Sequence, residues 1–205
     1  GVLTDQTRQR LSEQQTLFTL LTTHGSKKLS PKHIMHTGLG FCDLGLLSGT
    51  VNFAEKNKLI SLFADSHLNV QWQDNIMQKQ WLKLAINCVI NPLTAINNIN
   101  NGDIRLAKYQ TSIHLLIKEF ITIAASQAQY FDFESINQII NDIAEKTALN
   151  RSSMCSDIIN QLPTEIDYIN GYLVRLAIEN KIAVPENKKL CQQIHQLTKL
   201  YYYRE

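Results

Sequence analysis

Between Trp81 and Ile90 the chain is apolar on almost every side of a helix, interrupted only by Lys83 and Asn87. Leu82, Leu84, Ala85, Ile86, Cys88, Val89 and Ile90 leave it no solvent face, so the segment predicts a helix packed inside others. Lys83, Asn87 and Asn91 recur every fourth residue, which lays them along a slowly turning stripe about 12 Å long. Polar groups buried there without partners would each cost on the order of 1–3 kcal/mol. Either they bond neighbouring backbone, with Lys83 reaching solvent along its stem, or they face a small polar ligand. An ammonium beside carboxamides suits the second reading, because it can donate a proton.

The rest of the chain falls into two regions. From Gln73 onward the pattern is helical: Asn75–Ile90, expected to stop near Asn91-Pro92 because proline lacks the N–H of the next turn, then Ile104–Tyr130, Ser135–Leu149, Ser153–Leu162, Glu165–Lys181 and Glu186–Tyr203. Thr164 with Asp167 has capping-box spacing, and Pro185 suits the first turn of the last helix. Before that, short elements alternate. Thr4–Gln15 reads as a polar helix, Thr16–Thr23 as a strand, and Lys32–Thr37 with Phe41–Leu46 as a hairpin around Gly38 and Gly40. Asn52–Ser66 follows as a helix and Leu68–Trp72 as a short strand. The expected organisation is mainly α: residues 1–71 the last α/β elements of a Rossmann domain, residues 72–205 an all-α domain.

Composition narrows the function classes. A net charge of +2, with no Lys/Arg run longer than a pair such as Lys27-Lys28, argues against a nucleic-acid or membrane surface. No apolar run approaches the roughly 18–20 residues of a membrane span. Four cysteines (Cys42, Cys88, Cys155, Cys191) could make two bridges in principle, but they are widely spaced and show no zinc pattern. They read as reduced core thiols of a cytoplasmic protein with no metal site.

Several ordered motifs then carry a resemblance. The run Lys83-Leu-Ala-Ile-Asn87-Cys-Val-Ile-Asn91-Pro92-Leu93-Thr94-Ala95 resembles the signature helix of the ketopantoate reductases (2-dehydropantoate 2-reductases). Asn101-Gly102, Ser152-Ser153-Met154, the run Thr164-Glu-Ile-Asp-Tyr-Ile-Asn170-Gly171 and Ile182-Ala-Val-Pro185-Glu-Asn187 follow in the family's order. The resemblance implies a C-terminal domain like that of 6-phosphogluconate dehydrogenase, and NADPH-dependent reduction of 2-dehydropantoate to pantoate in pantothenate biosynthesis. It makes Lys83 the general acid and places Asn87, Asn91, Asn101 and Ser153, with Asn150 in support, on the substrate. Glu165 matches the acidic residue that orients the lysine or the cofactor region, and Ser26 matches a contact to NADP(H). A small keto acid is the implied partner, and the assembly is open to a homodimer.

The sequence departs from the family in one respect. It contains no G-x-G-x-x-G, and it opens at Gly1 without a β-α-β unit to hold a pyrophosphate. The expectation is a C-terminal portion missing about 90–100 residues of the cofactor domain, inactive by itself. Two other readings stay open: a related 2-keto acid or ketone reductase, and a non-catalytic helical protein.

Overall fold

The computed structural model describes residues 10–12, 15–30, 32–66 and 68–202. The expected helix over Thr4–Gln15 lies largely outside them. The chain forms two compact units that divide between Gln80 and Trp81, where the sequence placed the boundary at residue 72.

The first unit holds a three-stranded sheet and a separate two-stranded ribbon. Strand β1 (Leu17–Thr22) runs antiparallel to β4 (Cys42–Ser48), with Leu20 opposite Leu44 and Thr22 opposite Cys42. On its other side β4 runs parallel to β5 (Val70–Trp72), reached through α1 (Phe53–Ser61). As the central strand, β4 is buried along most of its length. Gly45 sits in it because a Cβ there would lie 2.4 Å from Ile76 Cβ. Asn52 and Glu55 close a capping box at the start of α1.

The hairpin expected between Lys32–Thr37 and Phe41–Leu46 does not form. Strand β3 (His33–Gly38) pairs instead with β2 (Gly25–Ser30), while β4 takes β1 as its antiparallel neighbour. The reason is burial: β3 is exposed on both faces, whereas the apolar face of β4 needs an apolar neighbour, which β1 supplies. Chain entry to and exit from the ribbon are locked where Thr23 N–H donates to Phe41 O at 3.0 Å and Phe41 N–H donates to Thr23 Oγ1 at 3.0 Å.

The second unit is helical among its described residues. Helix α2 (Ile76–Asn97) leads into a 3-10 turn at Asn101–Arg105, then α3 (Ala107–Ser126), α4 (Phe133–Lys146), α5 (Ser153–Ile159), a 3-10 turn at Ile166–Tyr168, α6 (Asn170–Glu179) and α7 (Pro185–Tyr202). Helix α3 supplies much of the core, burying Ile113, Leu116, Ile117, Phe120, Ile123 and Ala124 almost completely. Their three- and four-residue spacing is what one buried helical face requires. Trp81 packs near Phe120 and Tyr172, with ring centroids 5.9 and 6.3 Å apart. The four cysteines are free and buried. Burial pushes the Cys88 thiol far up and that of Cys191 up to about 11, so both are protonated apolar fillers at neutral pH.

Two helical expectations are corrected. Helix α2 does not stop at Asn91-Pro92: it continues for another turn and more, with Pro92 inside it. Proline removes the N–H that would bond the Cys88 carbonyl four residues back, and Asn170 Nδ2 takes that carbonyl at 2.9 Å instead. The expected single helix Glu165–Lys181 is a 3-10 turn followed by α6, broken at Ile169. No side-chain cap forms at Thr164, and Asp167 Oδ1 instead meets His195 Nε2 at 3.0 Å.

Candidate active site

The stripe on α2 is real, but it is graded. Lys83 is exposed, Asn87 half-buried and Asn91 only 7 % exposed, so of the two readings Lys83 follows the one in which it reaches solvent. Within the described residues the carboxamides of Asn87 and Asn91 make no hydrogen bond. Neither carboxamide is held by neighbouring backbone, which leaves both free to meet a ligand at the surface.

Backbone bonds draw the other candidates toward the C-terminal end of α2. Asn101 N–H donates to Asn150 O at 2.9 Å and Gly102 N–H to Ala148 O at 3.2 Å. Only glycine fits at 102, where a Cβ would come within 2.7 Å of Ala148 Cβ. The buried Asn101 side chain donates through Nδ2 to Thr147 Oγ1 at 3.0 Å, leaving its Oδ1 without a partner. The side chain of Asn150 is exposed, so its fixed contribution is its carbonyl. Arg151 Nη1 donates to Asn98 Oδ1 and lies 3.4 Å from Cys155 Sγ, a second tie between this loop and the end of α2.

The two serines divide their work. Ser152 is buried and caps α5 by accepting from Cys155 N–H at 3.1 Å. Its hydroxyl also shares a 2.7 Å hydrogen bond with Thr94 Oγ1, which in turn donates to the Ile90 and Asn91 carbonyls. Ser153 is exposed, and its hydroxyl makes no hydrogen bond within the described residues. The capping role that could have explained Ser153 therefore belongs to its neighbour. Ser152→Ala is expected to cost about 1–2 kcal/mol in chemical denaturation, for a lost cap and a lost buried hydrogen bond. Ser153→Ala should stay within about 0.5 kcal/mol of the parent, and equal losses for the two would contradict this division.

Glu165 is exposed at the start of the 3-10 turn. Burial first, then the Glu165 charge, pushes the Asp157 carboxyl above its ordinary range. Asp157 lies one turn beyond Ser153 on α5, on the same helix face. Ser26 belongs to the other unit, exposed on β2, with no hydrogen bond from its hydroxyl within the described residues.

Sequence reasoning read Ser152, with Ser153, only as a helix-capping candidate, and it missed Thr94, Thr147, Asn170, Asn187 and Glu119. All but Thr147 and Glu119 lie inside the motifs quoted above, so the signal was there as pattern without an assigned role. Among the described residues no group of three or more His, Cys, Asp or Glu could hold a metal, and no helix is long and apolar enough to cross a membrane.

Residues 75–198 match the family model described as "Ketopantoate reductase PanE/ApbA C terminal". A 2-dehydropantoate 2-reductase of Vibrio cholerae is 35 % identical over 190 residues, covering 91 % of this chain and 64 % of its own length. That of Yersinia pestis is 34 % identical over 174 residues, covering 85 % and 56 % respectively. The chain thus spans under two thirds of the length of these curated relatives. Among solved structures, a D-mandelate dehydrogenase in complex with NADH superimposes with a TM-score of 0.88 at 24 % identity, over 97 % of this chain and 67 % of that one. A PanE/ApbA family ketopantoate reductase from Ralstonia eutropha JMP134 gives 0.80 at 24 % identity, over 91 % and 60 %; these two establish the fold. With its helical unit matched almost from end to end, the chain belongs to the ketopantoate reductase family.

Proposed function

We propose that this chain supplies the proton donor and the substrate-binding residues of an NADPH-dependent 2-dehydropantoate 2-reductase, which makes pantoate for pantothenate biosynthesis. The observation that carries the reading is the graded stripe: an exposed lysine at one end, and at the other Asn91, only 7 % exposed, whose carboxamide makes no hydrogen bond among the described residues. Asn101, whose buried Oδ1 also lacks a partner, follows shortly after the end of α2 and is bonded to Asn150 and Thr147.

In this reading Lys83 donates its proton to the C2 oxygen of the keto acid as negative charge grows there. Asn87 and Asn91 hold the oxygens of the substrate without competing for the proton. Asn101 and Ser153, with Asn150 beside them, bind its hydroxyl and carboxylate, and Glu165 orients the region around the lysine. The nicotinamide, when bound, supplies the hydride. Ser26 has a hydroxyl available to the nicotinamide end of the cofactor. The pyrophosphate end is not provided for here: no described helix opens on a glycine-rich turn, and the 205 residues contain no G-x-G-x-x-G.

Two measurements test the proposal. The 205-residue chain alone is expected to give no saturable enhancement of NADPH fluorescence at micromolar cofactor, and tight binding would contradict this account of its first unit. In a hybrid joining this chain to the part of the V. cholerae relative that it does not cover, ketopantoate should be the best substrate in a panel of 2-keto acids. Preference for another keto acid would replace the substrate, and no turnover with any would remove the enzyme reading. In the same hybrid Ser153→Ala should raise KM for ketopantoate by roughly ten- to a hundredfold, the equivalent of a hydrogen bond to a charged carboxylate. The Kd for NADPH should stay unchanged.

A further inference from the structure

A continuous polar chain leads from half-buried Glu119 into the core behind the stripe. Glu119 on α3 receives Asn187 Nδ2 at 2.7 Å, Asn187 Oδ1 receives Asn170 Nδ2 at 2.9 Å, and Asn170 Nδ2 also donates to Cys88 O at 2.9 Å. Asn170 and Asn187 are both completely buried. Cys88 O is the carbonyl that residue 92 would bond in an uninterrupted helix, and Pro92 has no N–H to offer. Asn170 therefore stands where the missing backbone donor would be. The residue between this repaired turn and the site is Asn91, whose own carbonyl is held by Thr94 Oγ1 at 3.1 Å. Asn91 thus lies between a helix bond replaced by a side chain, at Cys88 O, and a carbonyl that a threonine hydroxyl bonds as well, its own.

From this geometry we infer that Asn170, oriented by Asn187 and Glu119, is a positioning residue for Asn91: it replaces the hydrogen bond that Pro92 cannot make and so fixes the turn of α2 that presents the Asn91 carboxamide. The inference deepens the substrate reading and rests on it only for the identity of the ligand. Without Asn170, Cys88 O would be a buried carbonyl with no donor, and the turn would relax toward whatever arrangement satisfied it.

The test is a double-mutant cycle on the 205-residue chain, read by chemical denaturation and by the side-chain amide NMR signals of Asn91. Asn170→Ala is expected to raise the unfolding equilibrium constant at least tenfold. In the Pro92→Ala background, where residue 92 regains an N–H for Cys88 O, the same substitution should raise it at least threefold less than in the parent, the remaining loss being the Asn187 Oδ1 that Asn170 no longer serves. If Asn170→Ala fails to fold, recovery of folding in the Asn170→Ala/Pro92→Ala protein is the same coupling. Asn170→Ala should also shift the Asn91 signals and weaken their response to added pantoate at least fivefold. Additive effects of the two substitutions would overturn the inference. So would strong coupling with unmoved Asn91 signals, since Asn170 would then hold the fold without positioning the site. If the parent chain shows no response to pantoate, the substrate reading fails, and the Asn91 signals in Asn170→Ala still decide the positioning.

Discussion

Lys83→Ala in the hybrid enzyme is expected to lower kcat for ketopantoate by about 10²–10⁴-fold, the usual worth of one well-placed general acid, with little change in the Kd for NADPH. Lys83 is exposed on α2, so the variant should stay folded, and its melting curve, measured beside the kinetics, separates a loss of rate from a loss of structure. Lys83→Arg is the sharper control. It keeps the positive charge near the growing oxyanion, but a guanidinium stays protonated and releases a proton poorly. If the lysine acted only through its charge, arginine would restore most of the rate; if it donates the proton, arginine should recover little. A Lys83→Ala enzyme with near-normal kcat would remove Lys83 from the mechanism altogether.

The stripe was legible because it depends only on helical spacing. The sequence fixes which residues share a face, and Lys83, Asn87 and Asn91 share one whether or not the helix continues. What spacing could not show was depth: the apolar surroundings suggested that all three were buried, yet exposure rises steeply from Asn91 to Lys83. Pro92 was misread for a related reason. The local rule that proline ends a helix is sound, but here the lost bond is replaced from another helix, by Asn170, and tertiary compensation leaves no local trace. The serine pair shows the limit within two residues. Both Ser152 and Ser153 could cap α5 by composition, and only the structure assigns the cap to Ser152. In the first unit, β2 was missed because Gly25–Ser30 alternates no apolar face, and a strand paired only in an exposed ribbon needs none.

The largest stability loss is expected from Glu119, a residue that no motif singled out. Helix α7 begins at Pro185, so the N–H groups of Glu186 and Asn187 fall in its first turn, where no carbonyl of the helix can reach them. Glu119 serves both: Oε1 accepts from Glu186 N–H at 2.8 Å, and Oε2 from Asn187 N–H at 3.0 Å and Asn187 Nδ2 at 2.7 Å. A carboxylate at a helix N-terminus also meets the favourable end of the helix dipole. Glu119→Ala would strand three donors, one of them on the fully buried Asn187, and should cost about 3–5 kcal/mol, counting about 1.5–3 kcal/mol per bond to a charged group and less than full additivity. Glu119→Gln should keep well under half of that stabilisation despite its similar shape, because its amide NH₂ would face an N–H donor. The contrast is the ion pair between Arg105 and Glu145, 3.2 Å apart with both side chains largely exposed, where Glu145→Ala should cost less than about 1 kcal/mol. Denaturant midpoints for the three variants decide the matter. A Glu119→Ala loss as small as that of Glu145→Ala would mean that water caps α7 as well as Glu119 does, and the polar chain from Glu119 to Cys88 O would lose its anchor.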